Sequence, residues 1–238
     1  MRPAGRWAGL SLAPWELALA GILLAVAGAA WAATILRMAG MTGMGAGLWS
    51  APADLEPYLG AWVPMMTAMM LPSIVPAALQ FDRAIRSRRG RRIALAQGAV
   101  FAGGYLAVWA AAGVVPYAVL RLGGALTGGA AGRYLAAGVI VVAAAYQLAP
   151  PKDACLRRLR VRPGGAGALR AGLECGAWCL GCCWALMASL VALGLMSLPW
   201  MVLIWALVMG ERLLPSPRLT TVGVAAVLVA VAIGVLAG

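Results

Sequence analysis

The chain has 238 residues, of which 63% are hydrophobic and 11% charged, and its formal net charge is +12. An ordinary soluble domain carries about 25% charged residues, so this composition excludes a soluble globular fold and indicates an integral membrane protein. Histidine is absent, which excludes Ser-His-Asp and Cys-His catalysis and three-histidine zinc sites.

About seven apolar runs approach the length of about 20 residues that a membrane-spanning helix needs. They lack the alternating segments of a closed barrel, so we predict an all-α, polytopic transmembrane helix bundle. The predicted spans are 14–37, 59–81, 93–120, 134–149, 173–195, 198–214 and 219–237, of which the fourth and the sixth are short. We expect a single integral membrane domain over 1–238, with an N-terminal anchor span (14–37), a motif-bearing core (59–214) and a C-terminal span (219–237).

The first span begins after two basic residues, Arg2 and Arg6, and its second half is rich in alanine. This pattern resembles a cleavable signal peptide, and that alternative stays open. A signal peptide's apolar region is typically about 7–15 residues, and residues 15–35 form a longer run. We therefore expect an uncleaved anchor.

The 19 basic residues are distributed unevenly between the two sides of the predicted bundle, because only Arg37, Arg121 and Arg133 fall on the far side. Lys and Arg in short loops are retained in the cytoplasm. We therefore expect a multi-pass protein of the bacterial inner (plasma) membrane with a cytoplasmic N-terminus. Its partners would be the lipid bilayer and its anionic headgroups, not nucleic acid, since the Arg-rich segment 83–92 has no folded reader around it.

Methionines cluster at two places in the first third of the chain. Met38, Met41 and Met44 follow the first span, and Met65, Met66, Met69 and Met70 lie in the second span ahead of Pro72 and Pro76. A thioether is a soft ligand suited to Cu(I), although methionines at helical spacing more often serve packing.

The fifth span carries four of the five cysteines within nine residues. At about 100° per helical residue, Cys175, Cys179, Cys182 and Cys183 fall on one face of the helix. Thiolates favour Cu(I), zinc or iron–sulfur clusters, but one helix cannot enclose an ion alone, so another helix must contribute. Two alternatives stay open, namely packing of small apolar side chains and dithiol redox chemistry through Cys179 and Cys182.

Two carboxylates flank this region, Glu174 at the start of the fifth span and Glu211 at the end of the sixth. Both are expected near the cytoplasmic interface, where solvation is the simple interpretation. The alternative is that Glu211 turns toward the cysteines as a ligand or proton acceptor.

Three segments together resemble a known family. They are 62–72, 146–156 and 179–187, followed by Gly194-Leu-Met196 and Trp200-Met201. Over residues 62–211 the chain resembles the predicted metal-binding integral membrane proteins called domain of unknown function 2182. In that family a histidine stands at the position of Cys175, and a second cysteine stands at about the position of Leu159. Since Cys175 keeps a soft ligand, the resemblance implies Cu(I) rather than an oxygen-activating copper centre.

We therefore predict a membrane protein that binds a soft metal ion, with copper favoured, for metal handling or transport. The predicted metal ligands are Cys175, Cys179, Cys182 and Cys183, with Met66, Met69 or Met70 opposite and Glu211 nearby. A metal-donor or redox protein is the expected protein partner. The alternatives are a membrane thiol–disulfide oxidoreductase that uses Cys179 and Cys182, and an assembly subunit with inert cysteines.

Overall fold

The structure is a computed structural model that describes residues 13–40, 54–123, 129–159, 167–194, 197–214 and 217–237. Within these ranges the chain forms nine α-helices and no strand, which confirms the all-α prediction. The helices are α1 (Pro14–Gly40), α2 (Leu55–Arg89), α3 (Arg91–Ala112), α4 (Val114–Gly123), α5 (Gly129–Gln147), α6 (Pro150–Leu159), α7 (Ala168–Leu193), α8 (Leu198–Leu213) and α9 (Pro217–Ala237). Arg2, Arg6, Met41 and Met44 lie outside the described residues.

Six helical segments of the described ranges are long and apolar enough to cross a membrane, where the sequence predicted about seven spans. They are Pro14–Ala39, Leu55–Arg89, Arg91–Leu122, Ala130–Gln147, Ala168–Leu193 and Arg218–Ala237. The predicted sixth span corresponds to α8, which has 16 residues. At 1.5 Å per residue it is about 24 Å long, shorter than a hydrocarbon core of about 30 Å.

The outer surface of the bundle is apolar. Leu36, Leu122 and Leu219 are among the many large aliphatic side chains that are exposed. Soluble monomers rarely expose contiguous apolar surface on this scale. The helices therefore present to their surroundings a surface that suits lipid.

Helices α1 and α2 pack side by side and are joined by polar side-chain contacts near both ends. At one end Glu16 forms an ion pair with Arg83, and Arg86 lies 3.9 Å from the centre of the Trp15 ring. At the other end Pro64, which has no N–H, leaves the Gly60 carbonyl free, and Arg37 Nη1 donates to that carbonyl at 2.9 Å. The start of α1 thus lies at the Arg-rich end of α2, as the grouping of basic residues predicted.

Glycines bring α3 and α7 into backbone contact. A Cβ on Gly172 would lie 2.1 Å from the Phe101 carbonyl oxygen, and a Cβ on Gly176 would lie 3.1 Å from that of Tyr105. Small residues allow this close approach between helices in a membrane. Because the residue numbers rise together, the two helices are parallel, and Cys179, three residues after Gly176, comes to face Tyr105.

Three helix ends meet the middle of α7. Helix α5 ends at Gln147 and α6 begins at Pro150, since Pro150 and Pro151 lack the N–H groups that a continuous helix needs. Helix α6 then packs along α7, with Cys155 Sγ against Gly181. Helix α8 returns antiparallel to α7 and ends beside the same stretch, which places its last charged residues inside the bundle.

Candidate metal centre

Helix α7 brings three cysteine side chains together in the interior. Cys179, Cys182 and Cys183, which we call the thiol cluster, are each at most 1% exposed. The sulfurs of Cys182 and Cys183 lie 3.4 Å apart, and Cys182 Sγ donates to the Cys179 carbonyl at 3.1 Å. Three of the four cysteines that were predicted to share one face of this helix therefore lie together in the interior.

Arg212, in the last turn of α8, extends its guanidinium into the thiol cluster. Its Nη2 lies 2.9 Å from Cys179 Sγ, 3.3 Å from Cys182 Sγ and 3.6 Å from Cys183 Sγ. Its Nε is buried and has no hydrogen-bond partner among the described residues. Three sulfurs thus surround one cationic nitrogen.

A second polar contact joins the thiol cluster to α2 and α3. The Tyr105 hydroxyl lies 3.0 Å from Cys179 Sγ and donates to the Met70 carbonyl at 3.3 Å. Ser73 Oγ donates to the same carbonyl at 2.7 Å. The second predicted span therefore reaches the cluster through the backbone of Met70, with Tyr105 as the intermediary.

The other predicted ligands lie around this arrangement. Met66, Met69 and Met70 are buried in the core, and ligation by their thioethers stays a prediction. Cys175 is half-buried and is not among the sulfurs that contact Arg212, so its role also stays a prediction.

Glu211 does not lie at a solvated interface, which corrects the simple interpretation of the sequence. It is 2% exposed, and its Oε1 lies 2.5 Å from Nζ of Lys152, which is fully buried. Glu174, by contrast, is exposed and pairs with Arg170 at 2.8 Å. Charged groups inside a membrane bundle are costly and usually functional. Since Glu211 directly precedes Arg212, the Lys152–Glu211 pair lies next to the residue that contacts the thiol cluster.

The thiol cluster lies deep in the bundle. Met70 is ten residues from Gly60, and Ser73 is ten residues from Arg83, which places the Tyr105 contact about 15 Å along α2 from either fastened end. Polar groups at this depth have little access to water. Their hydrogen bonds to one another are correspondingly important.

As they stand, no three His, Cys, Asp or Glu side chains of the described ranges form a group that could hold a metal ion. The three sulfurs instead share contacts with Nη2 of the Arg212 guanidinium. Sequence reasoning treated Arg212 and Lys152 only as basic residues near span ends and did not single out Tyr105. The one feature of the sequence that could have indicated a role for Arg212 is its position beside Glu211 at the end of an apolar run.

One comparison with known proteins gives a match that covers most of the chain. The model of a family described as PpoB2, copper chaperone, matches residues 59–235. This range contains the thiol cluster and all the residues described above as contacting it. No curated protein and no solved structure matches the chain significantly.

Proposed function

Because this chain belongs to the PpoB2 copper chaperone family, we propose that it is a membrane-embedded chaperone that takes up Cu(I) at the thiol cluster and passes it on. The observation that supports this site is the convergence of three buried sulfurs on a single cationic nitrogen. Soft thiolates select Cu(I) over harder ions. We include in this proposal the resemblance of residues 62–211 to the family called domain of unknown function 2182.

Two of the three sulfurs lie close enough together to bind one ion. A metal–thiolate bond is about 2.3 Å long, so two sulfurs less than about 4.6 Å apart can bind the same ion. The 3.4 Å between Cys182 Sγ and Cys183 Sγ falls within this limit. Cys179 Sγ is the third candidate ligand, since it contacts the same Arg212 nitrogen as the other two sulfurs. The three side chains must rearrange to form a ligand set, because they do not form one as they stand.

We assign different parts to the remaining predicted ligands. Cys175 lies one helical turn before Cys179, where a soft side chain can receive an incoming ion. The thioethers of Met66, Met69 and Met70 are the candidate ligands from α2. Glu211 is engaged by Lys152. Its part is therefore to hold the last turn of α8 in place rather than to bind copper.

Elemental analysis of the purified protein after loading with Cu(I) tests this proposal. We expect copper to remain bound to the wild type and to be lost from the variant C179A/C182A/C183A. Cys155→Ala is the matched control, because it removes a cysteine of α6 that is not among the predicted ligands, and it should keep most of its copper. Retention of wild-type copper by the triple variant, with helicity unchanged by circular dichroism, would refute the proposal.

The second candidate is a thiol–disulfide oxidoreductase acting through Cys179 and Cys182. All five cysteines are free, but thiol–disulfide exchange requires access to the sulfur, and both of these are buried. Alkylation trapping in membranes distinguishes the two functions. A reversible Cys179–Cys182 disulfide would favour redox chemistry, whereas reduced thiols that copper protects from alkylation favour a metal site.

A further inference from the structure

We infer that Arg212 is a tethered cation that occupies the thiol cluster when copper is absent, so that copper and the guanidinium exclude one another. This inference rests on the proposed copper function and concerns how the same site is emptied. Uptake of copper then requires the Arg212 side chain to swing out, and its return helps to release the ion.

The first argument is positional. Nη2 of Arg212 contacts all three sulfurs of the thiol cluster at 2.9–3.6 Å. An ion bound by the same sulfurs at about 2.3 Å would stand in direct contact with that nitrogen. The ion and the guanidinium cannot occupy this position together, because they would overlap in space and two positive charges in close contact repel one another.

The second argument concerns how Arg212 is held. A purely structural arginine inside a membrane bundle is expected to pair with a carboxylate or with backbone carbonyls. The adjacent carboxylate, Glu211, is taken by Lys152, and the partners of the Arg212 guanidinium within the described residues are sulfurs. Its Nε is buried without a partner there, so the side chain depends on the thiol cluster for its place.

The third argument is that only the side chain needs to move. Glu211 fixes the backbone of the last turn through Lys152, while Arg212 itself is only partly buried. The helix ends one residue later, and Leu214 is already extended. A long side chain at such a helix end can change rotamer while the bundle stays as it is.

Modification of arginines with phenylglyoxal, followed by peptide mass mapping, tests the exclusion directly. In the purified apo protein we expect Arg212 to react slowly, and after loading with Cu(I) several-fold faster. Arg170, whose side chain is 77% exposed, should react equally in both states. In C179A/C182A/C183A, Arg212 should react fast without copper. An Arg212 reactivity that does not change when copper is bound would overturn the inference.

Arg212→Lys gives the kinetic test. Lysine keeps the positive charge, but its ammonium lies one bond closer to the backbone than Nη2, so it reaches the three sulfurs less well. We expect the variant to bind as much copper as the wild type and to release it to a Cu(I) chelator several-fold more slowly. Release at the same rate or faster would overturn the inference. A wild type that takes up no copper would instead refute the proposed function.

Discussion

Breaking the Lys152–Glu211 pair is expected to destabilise the protein strongly. Both side chains are at most 2% exposed, and Nζ and Oε1 lie 2.5 Å apart. Removing one partner leaves a buried charge without compensation, which costs about 3–5 kcal/mol. We expect this loss for Lys152→Met and again for Glu211→Met. The double variant K152M/E211M should recover most of it, because exchanging a buried pair for apolar residues of similar volume is often neutral or stabilising.

The measurement is the free energy of unfolding in detergent for the two single variants, the double variant and the wild type, combined as a double-mutant cycle. The pair Arg170–Glu174 serves as the control, because its side chains are 77% and 50% exposed, and removing either should cost about 1 kcal/mol or less. If the double variant is destabilised by the sum of the two single changes, the two charges are not coupled. The reasoning would then fail.

Two smaller perturbations test the packing around the site. Gly172→Ala places a Cβ 2.1 Å from the Phe101 carbonyl oxygen, so we expect a loss of about 3 kcal/mol in unfolding free energy from overpacking. Gly103→Ala, with nothing within 4 Å, should be neutral, and equal stability of the two variants would contradict the close contact. Tyr105→Phe removes the hydroxyl between Met70 and Cys179 and should cost about 1 kcal/mol. Tyr134→Phe, whose ring is exposed, is its control and should unfold like the wild type.

Much of the fold could be predicted from the sequence because it depends on local patterns. Apolar runs of bilayer length located the long helices. A rotation of about 100° per residue predicted one common face of α7 for Cys175, Cys179, Cys182 and Cys183, and the last three of these are buried together. The burial of Met66, Met69 and Met70 also follows from helical spacing. These properties need only the identity and order of residues within one helix.

The central cation of the site could not be predicted in the same way. Basic residues near the ends of apolar runs look alike in sequence whether they enter a loop or turn into the bundle. Arg212 turns inward because α8 stops beside the middle of α7, and that position depends on packing between helices. Lys152 turns inward because two prolines, Pro150 and Pro151, begin α6 within the bundle. Both prolines can be read from the sequence, but they turn Lys152 inward only because α5 ends beside α7, and that position depends on the packing of the helices.

The charges around the thiol cluster favour an exchange of cations over an addition. In the described residues the nearby fixed charges are those of Arg212, Lys152 and Glu211, of which the last two neutralise each other. Adding a copper ion about 3 Å from the guanidinium would cost about 5 kcal/mol at an effective dielectric constant of 20. Exchanging the guanidinium for Cu(I) replaces one positive charge by another, so the buried charge changes only by the protons that the thiols release when they bind the ion, whereas a divalent ion adds one more positive charge. We therefore expect monovalent silver to compete with copper for the wild-type site and zinc not to compete. Equal displacement of copper by zinc, measured by elemental analysis after dialysis, would show that charge exchange with Arg212 does not govern the site.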